Sequence, residues 1–284
     1  MAILNSDKIS IYVEGLDHSE GIAWGMDGCI YAGSEIGILY RINPKKPEAR
    51  VFANTGGFLL GIALDGDNNI YICDSGHAVV QKVNTKGKVR TYAAGCLNEP
   101  FIMPNYLVFD RQGNMYVCDS GKWKEDNGKI YKVKPTGECE VWCRKLKEFP
   151  NGLCLDTDGK YLYVAMSLNP PSISRIAINP NGTAGLVERV VDLPKTVPDG
   201  LAFDENNNLY ISCYRPDVIY RYTNKNKLEI LAEDYEGTLM SAPTNIAFCG
   251  EKRNMLLGTN LGRWHLTRYH LDMVGMPLNY PKLS

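Results

Sequence analysis

The chain has 284 residues and a mass of 31.7 kDa, and its 31 Lys and Arg residues almost balance its 32 Asp and Glu residues. The formal charge of −1 argues against a nucleic-acid partner, because proteins that bind polyanions carry a marked excess of basic residues. The sequence contains no apolar run of about 18 residues, so we expect no membrane span.

The cysteines and the N-terminus predict the compartment. Nine cysteines are present, none of them in a C-x-x-C pair, and the first ten residues lack the basic and apolar segments of a secretory signal. An odd number of unpaired cysteines is typical of a reducing environment. We therefore expect a cytoplasmic protein whose thiols are free.

A repeat runs along almost the whole chain. Six segments share an apolar pattern that often ends in Asp, and their starts lie 40, 45, 46, 48 and 45 residues apart. The segments are 20–24, 60–65, 105–110, 151–156, 199–204 and 244–249. A period of about 45 residues is typical of propeller blades.

Each repeat also contains the signals of four short strands. A turn follows the first segment, and a strand of the form apolar-Tyr-apolar comes next, such as 70–72, 115–117 and 209–211. Third and fourth strands complete the unit. We predict an all-β, six-bladed propeller with four antiparallel strands per blade, closed by an N-terminal strand over residues 9–13. Because no linker interrupts the period, we expect one domain over residues 1–284.

The aligned start of each repeat predicts a functional ring. The first strand of every propeller blade lines the central channel, so the aligned residues, which we expect just before these strands, should form a ring at one mouth. These residues are Glu20, Leu60, Asn105, Asn151, Asp199 and Thr244. Four of them offer carboxylate or amide oxygens, which are ligands for a hard cation, whereas structural zinc prefers Cys and His.

We therefore predict a divalent cation held by Glu20, Asn105, Asn151 and Asp199. Calcium is favoured, and magnesium, manganese or an oxygen-bound zinc remain alternatives. Leu60, at a ring position without a donor, leaves room for water or substrate, and an open coordination position is typical of a catalytic metal.

Short motifs around these four residues resemble those of a known family. The motifs are Ser-Glu-Gly at Glu20, Met-Pro-Asn at Asn105, Pro-Asn-Gly at Asn151 and Pro-Asp-Gly at Asp199. They resemble the metal-ligand motifs of the gluconolactonase/regucalcin (senescence marker protein) family, which is related to diisopropyl-fluorophosphatase-type propellers. The resemblance extends from about residue 14 to 280 and implies a metal-dependent hydrolase of lactones or related esters.

The chain departs from this family where sugar hydroxyls would bind. Sugar-lactone hydrolases of the family tend to carry Arg and Asp at the positions of Met103 and Tyr106. Their replacement favours a more apolar lactone or ester, enclosed by Phe101, Met103, Tyr106 and Trp123. At the ends of the second strands, Asp119 and Asn260 are further candidates for contact with substrate.

The predicted mechanism uses the cation to polarise the substrate carbonyl and to lower the cost of deprotonating water. Asp199 is our first choice for the general base and Glu20 the second. Two alternatives remain: a non-enzymatic calcium-binding scaffold, and a hydrolase of organophosphates or other esters with the same metal site. The oligomeric state is left open.

Overall fold

The computed structural model describes residues 2–283, and nearly all of its regular structure is β-strand. A short 3-10 turn at Ser6–Lys8 precedes β1 (Ile9–Glu14). Blade 1 consists of β2 (Ser19–Trp24), β3 (Ile30–Ser34), β4 (Ile38–Asn43) and β5 (Lys46–Asn54). Blade 2 consists of β6 (Leu59–Leu64), β7 (Ile70–Asp74), β8 (Val79–Val83) and β9 (Val89–Ala93).

A two-stranded hairpin joins blade 2 to blade 3. It consists of β10 (Gly95–Cys96) and β11 (Glu99–Pro100). Blade 3 consists of β12 (Pro104–Phe109), β13 (Met115–Asp119), β14 (Lys129–Val133) and β15 (Cys139–Cys143). Blade 4 consists of β16 (Pro150–Leu155), β17 (Tyr161–Met166), β18 (Ser172–Ile178) and β19 (Ala184–Asp192).

Blade 5 consists of β20 (Val197–Phe203), β21 (Leu209–Arg215), β22 (Val218–Tyr222) and β23 (Leu228–Glu233). Blade 6 contains β24 (Pro243–Cys249), β25 (Met255–Asn260) and β26 (His265–Tyr269). Its fourth strand is β1, which pairs antiparallel with β26 from Ile9 opposite Tyr269 to Glu14 opposite His265. The predicted six-bladed propeller and its N-terminal closing strand are confirmed.

The innermost strands of the blades pack against one another around a channel. The strands β2, β6, β12, β16, β20 and β24 contact their neighbours in this order, and β24 returns to β2. The approach is close enough to require glycine: a Cβ on Gly21 would lie 1.9 Å from the carbonyl oxygen of Leu60. A Cβ on Gly152 would lie 2.1 Å from the carbonyl oxygen of Asp199. These glycines bring the ring residues of adjacent blades together.

The apolar core is divided among the interfaces between blades. Each of six clusters of buried side chains joins two adjacent blades; between blades 1 and 2, for example, Tyr31 packs with Ile62 and Ile70. The turn after β6 is held by the buried Asp65, which accepts hydrogen bonds from the backbone N–H of Asn69 at 2.8 Å and from the Tyr71 hydroxyl at 3.0 Å. This side-chain bonding is why Asp recurs after the first strands.

The C-terminal segment 276–280 crosses the end of the channel that lies opposite the starts of the innermost strands. It covers an apolar cavity lined by residues such as Ile22 and Leu64. The Tyr280 hydroxyl donates to the carbonyl of Trp24 at 2.7 Å, and the Asn279 amide donates to that of Phe109 at 2.9 Å. Among the described residues, no helix has the length and apolarity needed to cross a membrane.

Candidate metal centre

The four predicted ligands lie on the innermost strands of four blades. Glu20 is on β2, Asn105 on β12, Asn151 on β16 and Asp199 on β20, and each has 4% of its surface exposed. They lie inside these strands, not ahead of them as the repeat suggested. The pairing of each strand with the next shifts register at this point, so that a bulge interrupts the ladder. The strand starts therefore meet at one mouth of the channel, which we call the ring mouth.

All four predicted ligands carry a buried oxygen without a hydrogen-bond partner among residues 2–283. The atoms are Oε2 of Glu20, Oδ1 of Asn105, Oδ1 of Asn151 and Oδ1 of Asp199. A buried polar atom left unsatisfied costs about 1–3 kcal/mol, so folded proteins rarely accumulate them without a ligand. Carboxylate and amide oxygens are the donor set of calcium and other hard cations, and these residues fit such an ion.

The orientation of the two amides follows from neighbouring hydroxyls. The Ser120 hydroxyl donates to the carbonyl of Pro150 at 2.7 Å, so its oxygen is left to accept from Nδ2 of Asn105 at 3.0 Å. Ser167 donates to the carbonyl of Pro198 at 2.7 Å and accepts from Nδ2 of Asn151 at 3.4 Å. Because a serine has a single proton to donate, the amide nitrogens face the serines and the oxygens remain unpaired.

The same hydroxyls connect successive blades at the ring mouth. Ser120 and Ser167 each follow the second strand of a blade and donate to a carbonyl on the innermost strand of the next blade. The Ser212 hydroxyl bonds the carbonyl of Thr244, and Thr259 donates to the carbonyl of Glu20 at 2.6 Å. The backbone that carries the ligands is thereby held by side chains from the preceding blades, which limits the movement of each donor.

The two carboxylates disfavour each other's charge in the absence of a cation. Burial raises the pKa of Glu20 well above its usual range, and the charge of Asp199 adds to this effect. Burial likewise raises the pKa of Asp199 to about 7, against a smaller lowering by the Asn151 side chain. No cluster of three or more His, Cys, Asp and Glu side chains suited to a metal occurs in residues 2–283, since two of these four donors are amides.

The residues predicted to contact substrate are distributed unevenly. Leu60 and Tyr106 are buried on innermost strands, Met103 is half-buried just before β12, and Trp123 is exposed with its ring 4.8 Å from that of Phe149. Burial raises the pKa of the Tyr106 hydroxyl, and the charges of Cys154 and Asp199 add to this effect.

Asp119 and Asn260 have their polar atoms engaged within the fold. The Asp119 carboxylate accepts from the backbone N–H of Ile102 at 2.6 Å and of Met103 at 2.9 Å, and also from Gly121. Asn260 accepts from the backbone N–H of Ser241 and donates to His265 and Thr267. Their contact with a substrate stays a prediction, whereas their contacts with backbone are observed.

Asn245 is a polar residue of this region that the repeat analysis missed. It is fully buried, and both Oδ1 and Nδ2 lack a partner among the described residues. It follows Thr244 directly, at the position where four other blades have glycine. That exception to the glycine pattern is the sequence signal that distinguishes Asn245.

Comparison with known proteins defines the family. The sequence profile of the SMP-30/Gluconolactonase/LRE-like region matches residues 18–261, so the chain belongs to this family, as the motifs predicted. Strictosidine synthase-like 3 of Arabidopsis thaliana is 28% identical over 174 residues. That match covers 55% of this chain and 43% of the plant protein, so it spans less than half of that relative.

Solved structures share the fold at low sequence identity. A gluconolactonase from Xanthomonas campestris superposes with a TM-score of 0.80 at 18% identity, covering 93% of this chain and 89% of the other. A calcium-binding protein, regucalcin, from Agrobacterium tumefaciens gives a TM-score of 0.75 at 16% identity, covering 97% and 99%. Identities this low establish a common fold and leave the activity to be argued from this chain's own residues.

Proposed function

We propose that the protein is a divalent-cation-dependent hydrolase of a lactone or related ester, with calcium as the favoured ion. The observation that carries the proposal is the set of four buried, unpartnered oxygens contributed by four blades at the ring mouth. Membership of a family named for gluconolactonase supports the same reading. A small molecule is the expected partner, since a ring of this kind faces a narrow channel.

In this proposal Glu20, Asn105, Asn151 and Asp199 hold the cation. When bound, the cation supplies Lewis-acid chemistry that stabilises negative charge on the substrate's carbonyl oxygen. Asp199 accepts the proton of the attacking water, because a carboxylate at the ring can contact both the cation and the water. Glu20 is the second choice for that role. The serines behind Asn105 and Asn151 accept hydrogen bonds from the two amide nitrogens, which leaves both amide oxygens available to the cation.

The proposed substrate is apolar on the side that faces blades 2 and 3. Leu60, Met103 and Tyr106 line this side in the proposal, and the ring of Trp123 extends it at the rim. Asp119 is already bonded to three backbone N–H groups and offers little to a sugar hydroxyl. An apolar wall on this side of the site discriminates poorly in favour of polyols, which supports an apolar lactone or ester.

The test couples metal analysis to a substrate screen. Purified full-length protein is analysed for bound divalent ions and then assayed with a pH indicator against aldonolactones, aliphatic and aromatic lactones, aryl esters and an organophosphate. Each assay is run with calcium, with a chelator, and with calcium restored after chelation. We expect bound calcium and chelator-sensitive turnover of an apolar lactone or ester.

The other outcomes assign the alternatives. Chelator-sensitive turnover confined to the organophosphate would replace the lactonase proposal with a phosphotriesterase activity at the same site. Calcium binding without turnover of any class would favour the non-enzymatic scaffold. Failure to bind any divalent ion, after calcium is added in excess, would refute the metal site and with it the proposed mechanism.

A further inference from the structure

Two thiols face each other on the outer side of blade 3, away from the ring mouth residues. Cys96 is on β10 of the hairpin between blades 2 and 3, and Cys139 begins β15, the outermost strand of blade 3. Their Sγ atoms are 3.2 Å apart although the residues are separated by 43 positions in the sequence. Both side chains are partly exposed, so reagents in solution have access to them.

The hairpin is fixed to blade 3 independently of these thiols. Glu99, in β11, accepts from Nζ of Lys129 at 2.8 Å and from Nη1 of Arg144 at 2.7 Å. Phe101, which follows the hairpin, stacks edge-on against Tyr131 with ring centroids 4.9 Å apart. These contacts hold β10 against β15, so the thiols face each other in the reduced, folded protein without depending on their own interaction.

The remaining cysteines differ from this pair in environment. They are all buried, and no other two sulfur atoms are in hydrogen-bond contact within residues 2–283; they are Cys29, Cys73, Cys118, Cys143, Cys154, Cys213 and Cys249. Buried thiols in apolar surroundings stay protonated and unreactive. Within residues 2–283, Cys96 and Cys139 are the only cysteines that are both partly exposed and in contact with a second thiol.

We propose that Cys96 and Cys139 form a reversible disulfide, which makes this pair a site of oxidative modification. A disulfide has an S–S distance of about 2.05 Å, so closure from 3.2 Å requires the sulfurs to approach by little more than 1 Å. Side-chain rotation covers a distance of that order without moving either strand.

The chemistry is thiol–disulfide exchange with a low-molecular-weight disulfide such as oxidised glutathione. The thiolate of Cys96 attacks the oxidant, forming a mixed disulfide and releasing one glutathione thiolate; Cys139 then attacks the Cys96 sulfur and releases the second. Two protein thiols are oxidised, one glutathione disulfide is reduced, and the two protons pass to the glutathione thiols. Burial and the neighbouring Cys96 thiol raise the pKa of Cys139.

The cross-link would act on the segment that leads to the ring mouth. The chain runs from the hairpin through Phe101 and Met103 to Asn105, a predicted ligand. A bond from Cys96 to Cys139 ties the beginning of this segment to the outer edge of its own blade. It also closes a long loop, which restricts the unfolded chain and stabilises the folded protein.

The experiment compares reduced and glutathione-oxidised full-length protein. We expect the count of free thiols in denaturant to fall from nine by two, with the intact mass lower by about 2 Da and no retained glutathione. Peptide mapping without reduction should recover the 96–139 link. The midpoint of thermal unfolding should rise by about 5 °C or more, and reductant should reverse every change.

Variants separate this pair from the other thiols. Cys96→Ser and Cys139→Ser should each abolish the loss of two thiols and the thermal shift, so that at most one thiol is blocked, as a glutathione adduct. Cys143→Ser, on the same strand as Cys139, should retain both. Loss of two thiols in a Cys96→Ser/Cys139→Ser double variant, or a stable count of nine in the oxidised wild type, would overturn the proposal, as would a mapped disulfide between other cysteines.

Discussion

The two ends of the central channel use their polar groups in opposite ways. At the end crossed by residues 276–280, Asn279 and Tyr280 donate to backbone carbonyls of the innermost strands. At the ring mouth, the ring residues and their sequence neighbours contribute seven of the ten buried side-chain atoms that lack a partner in residues 2–283.

This contrast teaches that the unpaired atoms are not a general property of the fold. The six blades supply equivalent strands to both ends, so loose packing would leave unpaired atoms at both. One end is completed by the chain itself, whereas the proposed ligand would complete the other. The comparison therefore supports a ligand at the ring mouth and a structural closure at the tail end, and the following predictions test each half.

The largest effect is expected for Asp199→Asn. The substitution removes a ligand charge and the proposed base while preserving side-chain size, so turnover of any substrate found should fall by at least a hundredfold, about the lower limit for loss of a positioned base. Calcium affinity, measured by calorimetry, should fall as well. Asp192→Asn, at an exposed position whose carboxylate pairs with Arg189, is the matched control and should leave both unchanged. Near-normal turnover in Asp199→Asn would contradict the assignment of the base.

Calcium is expected to stabilise the protein by a few kcal/mol. An ion that binds only the folded state adds about 2.7 kcal/mol at a concentration one hundred times its Kd. Relief of the repulsion between Glu20 and Asp199 contributes to that affinity. Thermal unfolding in chelator and in calcium measures the difference. Glu20→Gln should abolish most of the calcium-dependent shift. Equal unfolding midpoints in calcium and in chelator for the wild type would refute the proposed calcium site at the ring mouth.

A smaller effect is expected when the serine behind an amide is removed. Ser120→Ala leaves the carbonyl of Pro150 and Nδ2 of Asn105 without their partner, which should cost about 1–3 kcal/mol in unfolding free energy and weaken calcium binding. Denaturant titration and calorimetry measure the two quantities.

The chain contains a matched control for this prediction. The motif Cys-Asp-Ser-Gly occurs twice, at 73–76 in blade 2 and at 118–121 in blade 3. Ser75 is therefore the counterpart of Ser120, but the ring residue of blade 2 is Leu60, which has no amide to orient. Its hydroxyl makes one long contact of 3.4 Å with the carbonyl of Phe58. Ser75→Ala should leave calcium binding unchanged. A similar loss of affinity in both variants would mean that the hydroxyl does not act through the amide.

The sequence predicted the fold and the ring because both depend on a repeat. Once six segments align, strand order and the residues that meet at one mouth follow without coordinates. The bonding of individual side chains was not predictable in this way. Asp119 and Ser120 are adjacent in one motif, yet the first caps the loop at Ile102 and Met103 while the second orients Asn105. Those partners are distant in sequence and depend on bulges in the ladder, which shift the register by amounts that the periodicity does not encode.

The smallest effect is expected at the tail end, and it tests the other half of the comparison. Tyr280→Phe removes only the hydroxyl that donates to the carbonyl of Trp24 at 2.7 Å, so the free energy of unfolding should fall by about 1 kcal/mol, the net value of one hydrogen bond. Because this bond closes the channel at the end opposite Glu20 and Asp199, calcium affinity and turnover should stay at wild-type values. A variant that loses calcium affinity as well as stability would show that the two ends are coupled through the innermost strands, and the division of the channel into a ligand end and a structural end would then have to be abandoned.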